Sequence, residues 1–359
     1  MPYSVEYIGK LPIMISNQKK PELIVDLCKD SKLKGFIVIN NTNLGPAQGG
    51  TRIASYPTTK DALTDALKLA EAMTYKCAIV GLAFGGGKGV IVKQPGMTKK
   101  EILKEYALQV NKLKGKFYTG EDVGMEEADV QYMMKFGPYF NGKTGLAGDP
   151  SYFAALSVFH AIKKSLDFVF HSEKINGRSF AIKGVGKTGT FLAKFLSKEG
   201  GKVYVYDIDE SKTNKLIKEN KNILAGDKDI SEMDVDIFCP CALGNDITSK
   251  NVNRIRAKIV CGTANNQLET IEVGDRLFER GILHVPDYVA NAGGLINVSD
   301  ELMPGGYNRK RVLKKIDNLK NILESILRKS KRDKISPIRV ANRYAESIFL
   351  KKKEKAYAH

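Results

Sequence analysis

Two stretches of this sequence hold residue types whose order could do chemistry. In the first, Lys88 follows Gly85, Gly86 and Gly87 after an apolar run, and Lys76 ends an amphipathic pattern upstream. A surface lysine needs no such setting, and the glycines remove side-chain bulk so that a ligand or a second backbone can approach closely. Two ammonium groups near each other in a partly dry cleft disfavour each other's charge, and desolvation adds to that effect. A lysine lowered in this way can act as a general base or activate water near neutral pH. A carboxylate would then be its proton partner. Thr119-Gly120-Glu121-Asp122-Val123-Gly124 offers two, Glu121 and Asp122, in a glycine-bounded turn. The plain alternative is that either lysine is a solvated surface cation.

The second stretch is Gly184-Val185-Gly186-Lys187-Thr188-Gly189, which matches G-x-G-x-x-G. Alone the pattern is weak, but here a strand precedes it, a helix follows it, a second strand comes next, and Asp207 ends that strand. Gly184 permits the tight turn, Gly186 lets the backbone approach a pyrophosphate, and Gly189 lets helix and strand pack closely. The helix N-terminus offers unpaired N–H groups and a positive dipole end to phosphates. The Asp207 carboxylate can accept from ribose hydroxyls and would repel a 2′-phosphate, which favours NAD over NADP. Lys212 and Lys215, just beyond it, keep NADP open.

The elements that must position these groups read as an α/β protein of two domains. Residues 35–40 form a short buried strand with which residues 49–53 could pair. A helix over residues 62–75 starts behind Thr58 and Asp61 at capping-box spacing and carries Ala62, Ala66, Leu67, Ala70 and Met73 on one face. Residues 77–84 read as an apolar strand that breaks at the glycines, and residues 89–92 resume an extended pattern. From about residue 150, helices (157–166 and 188–199) alternate with strands (178–183, 202–206, 235–239, 258–262 and 282–285). Such alternation implies a parallel, doubly wound sheet. Val312, Leu313, Ile316, Leu319, Leu323, Ile326 and Leu327 follow helical spacing, and Ser336-Pro337 opens a last helix through Leu350. Residues 351–355 read as a basic tail that serves solubility.

Composition narrows the function classes. The chain of 359 residues is too long for one ordinary core. The net charge is +17, carried by 45 lysines and 12 arginines. Nucleic-acid recognition favours the arginine fork, and no helix-turn-helix, zinc-finger or RNP-like pattern accompanies the charge. A lysine-rich solvated surface that attracts anionic ligands is the simpler reading, with no nucleic acid and no membrane as partner. No apolar run approaches a membrane span, and the first ten residues lack the pattern of a signal peptide, so a cytoplasmic protein is expected. Five scattered cysteines argue against a disulfide framework. Cys239-Pro-Cys241 has the wrong spacing for zinc, so no metal is expected.

Taken together, the motifs resemble the glutamate/leucine/phenylalanine/valine dehydrogenases, and within them the leucine dehydrogenase branch. The stretches that carry the resemblance are GPAQGGTR (45–52), AMTYKCA (72–78), GGGKGVI (85–91), TGEDVG (119–124), GVGKTG (184–189), CPCALG (239–244), GTANNQL (262–268) and PDYVANAGGLINVSDE (286–301). They run in family order over nearly the whole chain.

The resemblance implies a substrate domain over residues 1–145, with a C-terminal helix (331–359) packing back on it. It implies a Rossmann-type NAD domain over residues 146–330, separated from the first by a cleft. It implies reversible, NAD-dependent oxidative deamination of an apolar L-amino acid of the leucine, valine or isoleucine type, by a homo-oligomer. Lys76 would bind the α-carboxylate, Lys88 would activate the attacking water, and Asp122 would move protons to and from the amino group. Gly49 and Gly50 would line the substrate site, with Gln48 at the pocket floor, Leu295 and Val298 as its opposite wall, and Asn291 on substrate or nicotinamide. The cofactor would meet Gly184, Gly186, Lys187, Thr188 and Gly189, then Asp207 and Ile208, then Cys241, Ala242, Ala264 and Asn265.

Three positions depart from the family pattern. Gln48 stands where the glutamate branch has lysine and the leucine branch an apolar residue. Ala154 stands where a threonine often bonds the nicotinamide amide. Gly87 stands where the leucine branch commonly has alanine, which would slightly enlarge the cleft. Phenylalanine or tryptophan as substrate, or a non-catalytic basic protein that holds NAD or nucleic acid, are the competing readings.

Overall fold

The computed structural model describes residues 20–142, 146–242 and 244–350. The opening residues, read as free of a signal peptide, and the basic tail at 351–355 lie outside the described residues. The chain divides into two compact units. One comprises Met1–Gly148, Glu301–Tyr307 and Ala345–His359; the other comprises Asp149–Asp300 and Asn308–Tyr344. Among the described residues no helix is long and apolar enough to cross a membrane.

The first unit contains, in chain order, β1 (Leu23–Asp26), α1 (Leu27–Asp30), β2 (Gly35–Asn41), β3 (Ala47–Gln48), β4 (Thr51–Ala54), α2 (Thr59–Ile79), β5 (Gly85–Val92), α3 (Lys99–Lys112), β6 (Phe117–Tyr118) and α4 (Glu127–Met134). The sheet order is β1-β2-β5-β3-β6, and β4 also pairs with β5. Strand alternation sorts its side chains between two layers. Phe36, Val38 and Val90 pack with Ala62, Ala66 and Ala70 of α2. Ile37, Ile39, Ile53, Ile91 and Phe117 pack on the opposite face with Leu103, Tyr106 and Val110 of α3. Each such fully buried apolar side chain contributes roughly 2 kcal/mol. A slip of one residue would turn all of them to the wrong face, so the register is strongly specified.

Four local expectations change here. Residues 49–53 do not pair with β2; β5 lies between, antiparallel to β2 and parallel to β4. Helix α2 begins behind its Thr58–Asp61 capping box as expected but runs on to Ile79, so Lys76 lies within its last turn. The apolar run from Cys77 is the end of this helix and the turn after it. The strand is the glycine segment itself. A strand needs only backbone hydrogen bonds, whereas the alternation by which strands are read needs side chains, which three glycines lack.

The second unit contains α5 (Pro150–Phe170), β7 (Ser179–Lys183), α6 (Lys187–Lys198), β8 (Lys202–Tyr206), α7 (Glu210–Glu219), β9 (Ile223–Ala225), β10 (Ile237–Pro240), β11 (Ile259–Val260), α8 (Ile271–Glu279), β12 (Leu283–His284), α9 (Asp287–Ala290), α10 (Gly293–Ser299), α11 (Arg309–Asp333) and the start of α12 (Pro337–Phe349), whose residues from Ala345 on belong to the first unit. The sheet order β12-β11-β10-β7-β8-β9 is parallel throughout. Counted from β7 this is the 3-2-1-4-5-6 order of a doubly wound nucleotide fold, with its reversal between β7 and β10. Helix α5 starts earlier than its apolar pattern, because Asp149 caps it and Pro150 supplies a preset first turn. In α11 the expected face is buried except for Leu313, which is exposed.

Candidate active site

In the first unit, alternation places Lys88 of β5 on the same face as Gly86 and Val90, the face covered by α2. The glycines let that helix sit directly on the strand. A Cβ on Gly86 would lie 2.2 Å from the Thr74 backbone nitrogen and 2.6 Å from the Ala70 carbonyl oxygen of α2. On the other face, a Cβ on Gly87 would lie 2.9 Å from the Phe117 ring. The space at Gly87 is therefore filled by a core side chain and does not enlarge a ligand cleft.

Lys88 is 5% exposed, and its Nζ lies 2.8 Å from Asp122 Oδ2. The segment that carries Asp122 leaves β6 and runs beside β4. The Thr51 N–H donates to the Gly120 carbonyl and the Ile53 N–H to that of Val123. Below it, the buried hydroxyl of Thr51 bonds those of Tyr106 and Thr119, both at 2.7 Å. Of the two carboxylates in the turn, Asp122 is thus the one that meets Lys88. The charged neighbour that Lys88 meets directly is a carboxylate.

Sequence reasoning missed a third charge. Arg52, on the α2 face of β4, donates through Nε to Asp122 Oδ2 at 3.0 Å and through Nη1 to Asp65 Oδ2 of α2 at 2.9 Å. Tyr56 donates to the same Asp65 oxygen at 2.6 Å. Burial alone would raise the Asp122 carboxyl. The charges of Lys88 and Arg52, with their hydrogen bonds, outweigh it and hold the group down at about 2. One signal in the sequence could have found Arg52. A charged residue between Thr51 and Ile53, both bound for a buried strand, must be paired.

Of the remaining candidates of this unit, Gly50 borders the cluster. A Cβ on Gly50 would lie 3.0 Å from Asp122 Cβ, and one on Gly49 would lie 1.8 Å from the Gly87 carbonyl oxygen and 3.4 Å from Met73 Cγ. Lys76 stands one turn beyond Met73 on α2, and residues so spaced share a helix face. Gln48 is 1% exposed in β3, paired with Gly86 of β5.

In the second unit, the glycine turn follows β7 at the strand reversal. Gly184 has φ +100°, and a Cβ there would strike the Ala242 backbone at 2.6 Å. A Cβ on Gly189 would strike the Gly184 carbonyl at 2.0 Å and approach Cys241 Cβ at 3.2 Å. Cys241 and Ala242, after β10, therefore lie against the turn. Burial pushes the Cys241 thiol up to about 11, so it stands there as a neutral group. Gly186 differs. It has φ −66°, and a Cβ on it would meet nothing within 4 Å. Among the described residues, every other glycine with open space around it carries a positive φ. Neither backbone strain nor protein packing accounts for Gly186, but close approach of a pyrophosphate at the start of α6 would.

Asp207 ends β8 and accepts the Val185 N–H at 2.8 Å on Oδ2 and the Asp209 N–H at 3.0 Å on Oδ1. It thus also braces the turn. Ile208 beside it is 91% exposed, Lys187 is exposed, and Thr188 accepts from the Thr263 hydroxyl at 2.9 Å. Asn291, after α9, donates through Nδ2 to the Ala264 carbonyl at 3.3 Å and to Asn265 Oδ1 at 2.9 Å. Its Oδ1 is buried with no hydrogen-bond partner among the described residues, an acceptor left over for a ligand. Leu295 and Val298 lie half-buried on α10, and Ala154 lies half-buried on α5.

A parallel sheet of this order with this turn at its reversal defines a dinucleotide-binding protein. The chain belongs to the glutamate/leucine/phenylalanine/valine dehydrogenase family. Residues 23–137 match its Glu/Leu/Phe/Val dehydrogenase dimerisation domain and residues 204–356 match its Glutamate/Leucine/Phenylalanine/Valine dehydrogenase domain. The chain is 39% identical over 322 residues to leucine dehydrogenase of Geobacillus stearothermophilus, covering 89% of this chain and 87% of that one. It is 40% identical over 327 residues to phenylalanine dehydrogenase of Lysinibacillus sphaericus, covering 88% and 85%. The crystal structure of L-tryptophan dehydrogenase from Nostoc punctiforme superposes with a TM-score of 0.76 at 35% identity, covering 90% and 94%. The protein is an NAD-dependent amino-acid dehydrogenase.

Proposed function

We propose that the chain oxidatively deaminates an apolar L-amino acid of the leucine, valine or isoleucine type to its 2-oxo acid and ammonia. The observation that carries the reading is the Lys88–Asp122 pair, 2.8 Å apart beneath α2. Bound NAD would supply the hydride acceptor for oxidation at the substrate's Cα. Gly186 and the start of α6 would receive its pyrophosphate, Asp207 and Ile208 its adenosine, and Ala264, Asn265 and Asn291 its nicotinamide end.

The protein's own groups do the rest. Lys76 binds the α-carboxylate. Lys88 takes a proton from the water that attacks the iminium carbon of the substrate. Asp122 carries protons to and from the departing amino group. The two are coupled. Lys88 is the larger of the two positive influences that hold the Asp122 carboxyl down. Gln48 is a neutral amide, where a side-chain carboxylate would need a cation, and Leu295 and Val298 are apolar. The lack of a cation at position 48 favours an apolar side chain over glutamate. An apolar pocket separates neighbours by a methylene only weakly, about 1–3 kcal/mol. Because residues 23–137 match a dimerisation domain, we also propose a homo-oligomer.

The test is reduction of NAD with each L-amino acid in turn, followed by its near-ultraviolet absorbance. Branched-chain substrates should turn over fastest. Lys88→Ala should lose at least about 10²-fold in kcat, the size of a general base's contribution. A Lys88→Ala protein that keeps wild-type turnover would overturn the assignment.

A further inference from the structure

We propose that Arg52 is a positioning residue for this reaction: it pins Asp122 by one oxygen so that the other is presented to the substrate's amino group. The inference rests on the dehydrogenase reading and deepens it. Lys88 Nζ and Arg52 Nε both approach Oδ2 of Asp122, at 2.8 and 3.0 Å. No described residue donates a hydrogen bond to Oδ1, and the side chain is 22% exposed. The carboxylate therefore offers the solvent side one oxygen, while two cations hold the other.

Arg52 is itself fixed. Its guanidinium spans from Asp122 to Asp65, and Tyr56 fixes Asp65 in turn. A planar fork held at both ends cannot rotate away when Lys88 gives up or regains its proton. The charged groups that bear on Asp122 are Lys88 from β5 and Arg52 from β4, with Asp65 of α2 and Tyr56 behind the arginine. Of the two cations beside Asp122, only Lys88 changes charge during the proposed proton transfers. Arg52 is the constant one, and it keeps the geometry while the proton moves.

The experiment compares Arg52→Gln, Arg52→Lys and Asp65→Asn with the wild type by Tm and by the pH profiles of kcat and kcat/KM. Arg52→Gln should lower kcat by about 10- to 100-fold, the effect of misplacing a reacting group by an ångström, with a much smaller change in the amino-acid KM. Its acid limb should move to higher pH, because a positive charge beside Asp122 is gone and the carboxylate binds a proton more readily. Arg52→Lys should recover part of kcat, since an ammonium can reach Asp122 but cannot also bridge to Asp65. Asp65→Asn should lower Tm with a smaller loss of kcat and an acid limb at the wild-type pH.

Parallel losses of Tm and kcat in Arg52→Gln and Asp65→Asn, with both acid limbs unmoved, would reduce Arg52 to a bolt between β4 and α2 and sink the proposal. So would wild-type kcat in Arg52→Gln. Should Arg52→Gln not fold, Arg52→Lys decides: lowered kcat at wild-type Tm supports positioning, and a wild-type kcat and profile overturns it. A wild-type protein that reduces NAD with no amino acid would fail the dehydrogenase reading itself, and this proposal with it. An active wild type with an indifferent Arg52 fails the proposal alone.

Discussion

The two glycine-rich segments look alike as text and differ in what their glycines are for. In β5, every glycine faces another part of the protein. A Cβ on Gly85 would strike the Asn41 carbonyl at 1.8 Å, one on Gly86 the backbone of α2, one on Gly87 the Phe117 ring, and one on Gly89 the Tyr106 hydroxyl at 2.0 Å. These glycines bring the layers together, and the group proposed to react is the lysine among them. In the turn after β7, Gly184 and Gly189 are likewise explained by the protein's own atoms, but Gly186 is not. A glycine that the fold does not need marks the place that something outside the fold approaches. The first segment therefore positions a side chain, and the second leaves room for a ligand.

The comparison breaks most visibly at Gly86. Gly86→Ala puts a methyl group 2.2 Å from a backbone nitrogen, which no rotamer change can relieve, so α2 must lift off β5. Overpacking against backbone should destabilise the protein by about 3 kcal/mol or more. Calorimetric unfolding checks this. Because α2 also carries Lys76, the residual folded protein should show a raised KM for the amino acid. A Gly86→Ala protein of wild-type Tm would mean that this glycine, too, faces empty space.

Gly186→Ala sharpens the other side. The substituted residue has room and an ordinary φ, so stability without cofactor should stay within about 0.5 kcal/mol of wild type. NAD affinity should fall by about tenfold or more, about 1.4 kcal/mol, because the methyl group stands where the pyrophosphate approaches. Calorimetric titration with NAD separates the two effects. Unchanged affinity would place the phosphates elsewhere.

This contrast explains how much could be read in advance. The nucleotide turn was legible because its signal is local: three glycines, a helix, a strand and Asp207 at fixed spacing. Asp207's bonds to the turn itself were not legible, since spacing does not show which backbone N–H a carboxylate meets. In the first unit Lys88 stood out by its glycines, but the choice of Asp122 over Glu121 came from family resemblance. Arg52 escaped notice because its partner Asp122 lies far along the chain and only the pairing of β4 with the segment after β6 brings them together. The strand at β5 was misplaced by the same glycines that make it function, for they erase the alternation that identifies a half-buried strand.

The smallest effect discriminates most finely, and it concerns Gly87. The leucine branch commonly has alanine there, and from sequence the glycine suggested a wider ligand site. The structure instead directs that position at Phe117, a fully buried ring, with Ala47 Cβ at 3.1 Å on the far side. Gly87→Ala must push the ring aside by a few tenths of an ångström. That should destabilise the protein by about 1 kcal/mol, at the mild end of overpacking, because a side chain yields more easily than the backbone opposite Gly86. The amino-acid KM values and the order of preferred substrates should not change. A variant with wild-type Tm and a reordered substrate preference would show that Gly87 borders the ligand after all, and the division between glycines that serve packing and glycines that serve binding would then run through β5 itself.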